Sequence, residues 1–184
     1  MSDTEFNDMQ RAKRCMFSMR NGVVADALRK GGSPFQIIFG VNLPQLVEIA
    51  SELPHTAQLA TELWHNTTTR ESMLIAPMLM PREQMTIELA RAWIESVPCA
   101  EVADIFCHKL LRHLSYAPQL AQELLESETD MKRYTGLRLW FNLVNKYPRE
   151  ALDAATKEAS RSCRLTQGVA AMLADEARFV LGED

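Results

Sequence analysis

Apolar residues recur at three- and four-residue spacing through almost all of this chain, and they nowhere alternate for long enough to give a half-buried strand. The pattern predicts helices over roughly 5–20, 23–30, 44–53, 55–65, 69–80, 87–96, 99–114, 117–126, 130–145, 149–159 and 161–181. The breaks have local causes. Asn21-Gly22 and Gly31-Gly32-Ser33-Pro34 punctuate the first two helices, since neither glycine nor proline supports a helix interior. Pro44, Pro98, Pro118 and Pro148 stand near helix starts, where a missing N–H has no helical partner to lose. Thr68 and Glu71 have the spacing of a capping box, and Thr86 is placed to cap the helix after it. Pro77 falls inside the 69–80 pattern and should kink or end that helix. Gln36–Gly40 is the one extended candidate, and it is too short to seed a sheet.

The helices come in pairs. Leu79, Leu111, Leu143 and Leu173 each close a comparable apolar segment, at intervals of 32, 32 and 30 residues, and a more polar helix precedes each segment. A pair of this size cannot bury its apolar face alone, so pairs recurring at such a period stack into an array. The expected fold class is therefore all-α, a HEAT-like α-α superhelix built as a solenoid of antiparallel helix pairs. One helical-repeat domain over 1–184 is expected, with N-terminal helices in 1–34 and helix pairs in 35–184. The more polar first helices should lie outside, and the second helices should line the inner, concave layer.

Composition narrows the partners. Hydrophobic residues make up 47% and charged residues 24%, which is ordinary usage for a folded domain. No apolar run is long enough for a bilayer and the N-terminus is polar, so no membrane attachment and a cytoplasmic location are expected. The four scattered cysteines read as reduced thiols, mostly core filler. A net charge of −4 argues against a protein that is basic overall, while leaving room for one basic face. The N-terminal stretch is such a region: Arg11, Lys13, Arg14, Arg20, Arg29 and Lys30 outnumber its acids. An ordinary solvated helix face accounts for the same charges.

Candidate chemistry centres on 102–114. Asp104, His108 and Arg112 follow at i, i+4 and i+8, which puts an acid, an imidazole and a fixed cation on one polar stripe. Pairing within that stripe, near the helix start, is the structural explanation; a carboxylate presented to a substrate is the functional one. Arg70, Lys109, Arg112, Lys132, Arg133 and Arg138 fall on second helices or their first turns, where cations of successive repeats could follow a phosphate backbone. Trp64, Trp93 and Trp140 could stack on bases, although tryptophan in a helical repeat usually belongs to the core. Cys107, His108 and His113 do not share a face, so no metal site is expected, and no phosphate-cradling glycine loop or nucleophile elbow is present. No cofactor is expected.

The segment Phe39-Gly40-Val41-Asn42-Leu43-Pro44-Gln45-Leu46 heading the helix pairs resembles the AlkD-like DNA alkylation repair family. Asn66–Arg70 and Glu128–Leu137 are similar to that family's repeat signature, so the resemblance spans roughly 35–145. It implies a HEAT-like fold holding DNA on a basic concave surface and excising cationic alkylated purines without a metal. It also implies a catalytic aspartate with an arginine and tryptophans nearby. In Ala100-Glu101-Val102-Ala103-Asp104, Asp104 takes the aspartate position and Ala100 stands where the family carries tryptophan. Arg133, in Arg133-Tyr134-Thr135-Gly136, is the candidate for the arginine.

Two functions follow. The first is duplex-DNA binding, with Asp104 catalytic and Arg70, His108, Lys109, Arg112, Lys132, Arg133 and Trp140 contacting DNA. If active, the protein would be a glycosylase hydrolysing the N-glycosidic bond of alkylated purines. The second is a non-catalytic helical scaffold that binds a partner protein.

Overall fold

The computed structural model describes residues 7–183, and among them every regular element is helical. The single extended contact among the described residues is an isolated parallel bridge between Ile37 and Thr69. The chain divides into two compact units, Met1–Met85 and Thr86–Asp184.

The first unit holds α1 (Asp8–Ser18), α2 (Gly22–Lys30), α3 (Leu43–Glu52), α4 (Ala57–His65) and α5 (Arg70–Leu79), followed by a 3-10 turn at Arg82–Gln84. Positions 5 and 6 of the helix expected over 5–20 lie outside the described residues. Asn7 and Gln10 form a capping box on α1, Asn21 caps α2, and Asn42 with Gln45 forms a second box on α3, where Pro44 occupies the first turn. Helix α5 packs against α3 and α4 and is buried at every position except Met78. Pro77 lies within α5, which ends two residues later.

The capping box expected at Thr68 and Glu71 does not form. Helix α5 starts one residue later, with Thr69 as its N-cap and no side-chain cap bond. Glu71 reaches across to another segment. Its Oε1 accepts the N–H groups of Gly40 (2.9 Å) and Val41 (3.3 Å), and Oε2 accepts that of Phe39 (3.1 Å). Arg70 Nη1 donates to Glu71 Oε1 (2.9 Å) and to the Val41 carbonyl (3.0 Å), so a fully buried ion pair clamps residues 39–41. Gly40 is obligatory there. Its φ is +78°, and a Cβ would lie 2.2 Å from the Asn21 carbonyl oxygen. The Phe39–Leu46 segment thus owes its composition to architecture.

The second unit comprises α6 (Ile87–Glu95), α7 (Ala100–Lys109), α8 (Ala117–Leu125), α9 (Asp130–Leu143), α10 (Pro148–Ala159) and α11 (Arg164–Leu181). First helices α4, α6, α8 and α10 begin at 57, 87, 117 and 148, and second helices α5, α7, α9 and α11 begin at 70, 100, 130 and 164. The first helices therefore recur at intervals of 30, 30 and 31 residues and the second helices at 30, 30 and 34. Leu111 does not close a helix: α7 stops at Lys109, Leu110 leaves helical geometry, and Leu111–His113 is a 3-10 turn.

Within this unit α9 is central, packing on α7, α8, α10 and α11. Gly136 permits the close approach of α8, since a Cβ there would meet the Ala121 carbonyl oxygen at 2.9 Å and Leu124 Cβ at 3.1 Å. Trp93, Phe106, Leu120 and Leu137 fill the core, and burying side chains of this size stabilises the fold by about 1.5–3 kcal/mol each. First helices are also tied by charge. Arg91 of α6 grips Glu123 of α8 with two hydrogen bonds (2.8 and 2.6 Å), and Lys157 of α10 pairs with Glu126 at the end of α8 (2.6 Å).

Candidate active site on α7 and α9

Asp104 is the fifth residue of α7, and Tyr134 is the fifth residue of α9, one repeat later. Packing of α7 on α9 brings these equivalent positions together. The Tyr134 hydroxyl donates to Asp104 Oδ1 at 3.0 Å. Arg138, one turn further along α9, places Nε 2.7 Å from the same oxygen, as an ion pair whose N–H points off the line to it. Both contacts fall on Oδ1, which leaves Oδ2 without a partner among the described residues. The Asp104 side chain remains 34% exposed, and the Arg138 guanidinium sits 5.2 Å from the Phe141 ring centroid.

The electrostatics have two opposing parts. Burial pushes the Asp104 carboxyl above its ordinary 3.8, against the opposing pull of the Arg138 charge and the Tyr134 hydrogen bond. Burial, followed by the Asp104 charge, also raises the Tyr134 hydroxyl and the buried Cys107 thiol. Tyr134 is therefore a proton-bearing donor and Cys107 an inert thiol; Cys107 Sγ donates to the Thr135 carbonyl at 3.4 Å. The arrangement is a carboxylate held through Oδ1 on a side chain that stays one-third exposed. Ala100, one turn before Asp104, offers only a methyl group, so the aromatic groups beside the carboxylate come from α9.

The expected Asp104–His108–Arg112 stripe is only partly realised. Asp104 pairs with α9 rather than with its own stripe. His108 and Arg112 do meet, although α7 ends between them: Arg112 Nη1 lies 3.2 Å from His108 Nδ1, and Arg112 Nε donates to His113 Nε2 at 3.3 Å. His108 Nδ1 is also 3.1 Å from Asn142 Oδ1, so its tautomer decides which neighbour it bonds. Lys109 makes no ion pair among the described residues. His108 and Arg112 thus meet one to two turns beyond Asp104, with Lys109 adjoining His108 in the chain.

The other expected DNA contacts are placed differently. Arg70 is buried in the clamp on residues 39–41. Arg133 is 7% exposed at its side chain, with Nε on Glu158 (3.1 Å), Nη1 on the Ser127 and Glu128 carbonyls (3.0 Å each) and Nη2 on Asp130. Both guanidiniums are buried and engaged by internal acceptors, which holds them away from a phosphate at the surface. Arg138, rather than Arg133, is the arginine on Asp104. Lys132 pairs with Glu95. Trp140 is a core residue, edge-on to Tyr147 at 6.3 Å, with no open ring face for a base. Among the described residues, no three His, Cys, Asp or Glu side chains converge as a metal site requires.

Tyr134 and the special place of Arg138 escaped the sequence reading, although a signal existed. With a repeat of 30, position 134 is the counterpart of 104 and position 138 the counterpart of 108. Side chains at matching positions of adjacent second helices are natural neighbours.

Fold and site together define an all-α, HEAT-like repeat protein with an aspartate–arginine–tyrosine cluster between two second helices. The chain belongs to the DNA alkylation repair enzyme family, whose model matches residues 16–180. Among solved structures it is similar to a member of a protein family related to the HEAT-like repeat DNA glycosylases with affinity for branched DNA structures. That match has 15% identity, covers 96% of this chain and 83% of the other, and has a TM-score of 0.77. Among curated protein sequences no match reaches significance.

Proposed function

We propose that this protein binds DNA and releases alkylated purines, with Asp104 as the group that stabilises the cationic sugar. The observation that carries this reading is the geometry of Asp104: Oδ1 is fixed by Tyr134 and Arg138, on a side chain that stays one-third exposed. Loss of a cationic purine leaves an oxocarbenium-like sugar, and a carboxylate already held in place lowers that barrier without reorganising. Arg138 and Tyr134 act as positioning residues. Membership of the DNA alkylation repair family supports the substrate class. His108, Lys109 and Arg112 supply phosphate contacts beside the reacting nucleotide, whereas Arg70, Arg133 and Trp140 maintain the fold.

DNA binding and turnover are tested separately. Binding to duplex DNA should weaken with salt, and Lys109→Gln should reduce the log–log salt slope by about 1. An unchanged slope would remove Lys109 from the interface. Turnover is read as release of a methylated purine, with Asp104→Asn as the discriminating variant.

DNA binding without turnover is a second reading. It is favoured by Ala100, which leaves the face of Asp104 without an aromatic wall for a cationic base, and by the branched-DNA affinity described for the structural relative.

A further inference from the structure

The first unit carries an aromatic surface that the Asp104 cluster does not use. Phe17, near the end of α1, is 54% exposed and packs edge-to-face on Phe39, with ring centroids 6.4 Å apart and planes at 89°. Arg20 covers one face of Phe17, its guanidinium carbon 3.9 Å from the ring centroid and Nη1 donating to the Phe17 carbonyl at 2.9 Å. Two adjoining open depressions, of about 440 and 450 Å³, share Ser18 and Phe39; Arg20 and Arg29 line one, and Lys13 and Phe17 line the other. Phe39 is a fixed platform. Its N–H is held by Glu71, its carbonyl accepts the Asn21 N–H at 2.8 Å, and Gly40 locks the next residue.

The charge around these rings is unbalanced. Residues 1–30 contain six Lys and Arg against four Asp and Glu, within a chain of net charge −4. Asp8 is paired with Arg11 (3.6 Å) and Asp26 with Arg29 (2.8 Å). Among the described residues Lys13 has no ion pair, and Arg20 is engaged only with the Phe17 ring and carbonyl. An exposed aromatic ring beside a half-buried one, with Lys13 and Arg20 next to them, matches a ligand that joins flat π-faces to a polyanionic backbone. That combination is single-stranded nucleic acid, in which unpaired bases stack on aromatic side chains while cations follow the phosphates.

We infer that the Phe17–Phe39 surface binds an unpaired nucleotide of DNA, with a base stacked against the exposed Phe17 and Lys13 and Arg20 on the neighbouring phosphates. This rests on the DNA-binding reading above and extends it, making the first unit a reader of single-stranded character at a gap or branch point. Stacking of this kind tolerates any base, so the site would be sensitive to strand structure rather than to sequence.

The test uses the full chain with fluorescent oligo-dT, a fully paired duplex, and vesicles containing an anionic lipid. Phe17→Ala should weaken oligo-dT binding about 5-fold to 150-fold and leave duplex binding unchanged. Phe17→Trp should retain oligo-dT binding, and its fluorescence should be quenched on binding. The inference is overturned if duplex binds but oligo-dT binding ignores Phe17→Ala and Phe17→Trp shows no quenching. Binding of the vesicles in preference to oligo-dT, abolished by Phe17→Ala, would assign the surface to lipid and overturn it also. Failure to bind either duplex or oligo-dT would defeat the DNA reading itself, an outcome distinct from the other two.

Discussion

Asp104 and Tyr134 occupy the same position in successive second helices, and the Tyr134 hydroxyl donates to Asp104 Oδ1 at 3.0 Å. Arg138 approaches the same oxygen, so a repeat-to-repeat contact that would ordinarily be apolar has become a polar site. Burial dominates the environment of this carboxyl and raises it above 3.8 despite the nearby guanidinium.

The site should therefore work against stability. Below pH 3.8 the Asp104 carboxyl is protonated in both the folded and unfolded chains. As pH rises, the unfolded chain releases the proton first and the folded chain holds it, so stability falls until the folded group ionises as well. Wild type should accordingly lose ground to Asp104→Asn as pH climbs from 3.8 toward neutrality, measured by urea denaturation at each pH. A wild type that gains on the variant over that window would contradict the assignment of burial as the dominant effect.

Arg133 is a structural cation, and its loss should resemble a folding defect. Arg133→Ala would leave Glu158 almost fully buried, with only Thr166 (2.7 Å) and a distant Arg161 (3.8 Å) for company. The expected destabilisation is about 3–5 kcal/mol, most of it recovered when Glu158 is also made apolar. Denaturation midpoints of the single and double variants check this. Equal instability in both would show that the ion pair is not the source.

The clamp on residues 39–41 makes a parallel prediction. Glu71→Ala strands three backbone N–H groups and the buried Arg70, which should destabilise the protein by about 3–5 kcal/mol. Gly40→Ala adds about 1–3 kcal/mol of backbone strain, together with the contact against Asn21. A thermal midpoint unchanged in either variant would mean that this segment is not fixed as described.

Most of the fold was legible in the chain because helix periodicity, proline placement and the 30-residue recurrence agreed with one another. The helix bounds differ from expectation mainly where chemistry competes. Thr68 and Glu71 have capping-box spacing, yet Glu71 does better by satisfying three amides of residues 39–41 at once. Leu110 breaks the helix expected to run to 114, which changes how Arg112 meets His108. The site was less legible. Asp104 stood out through its place on a polar stripe and through a resemblance, whereas its partners depend on how α7 packs on α9, which no local pattern states. Charge alone misled at Arg70 and Arg133, because a guanidinium on a second helix can as readily face buried acceptors as a ligand. Trp140 misled for the related reason that a large ring in a repeat is most stable in the core.

The measurement that bears most directly on the account is release of a methylated purine from alkylated duplex DNA, compared between wild type and Asp104→Asn at matched DNA occupancy. The account predicts release by wild type and loss of about 100-fold or more in Asp104→Asn, on the scale of removing one preorganised electrostatic group, with duplex affinity unchanged. Equal release by the two proteins, or no release by a wild type that binds the DNA, would contradict a catalytic Asp104.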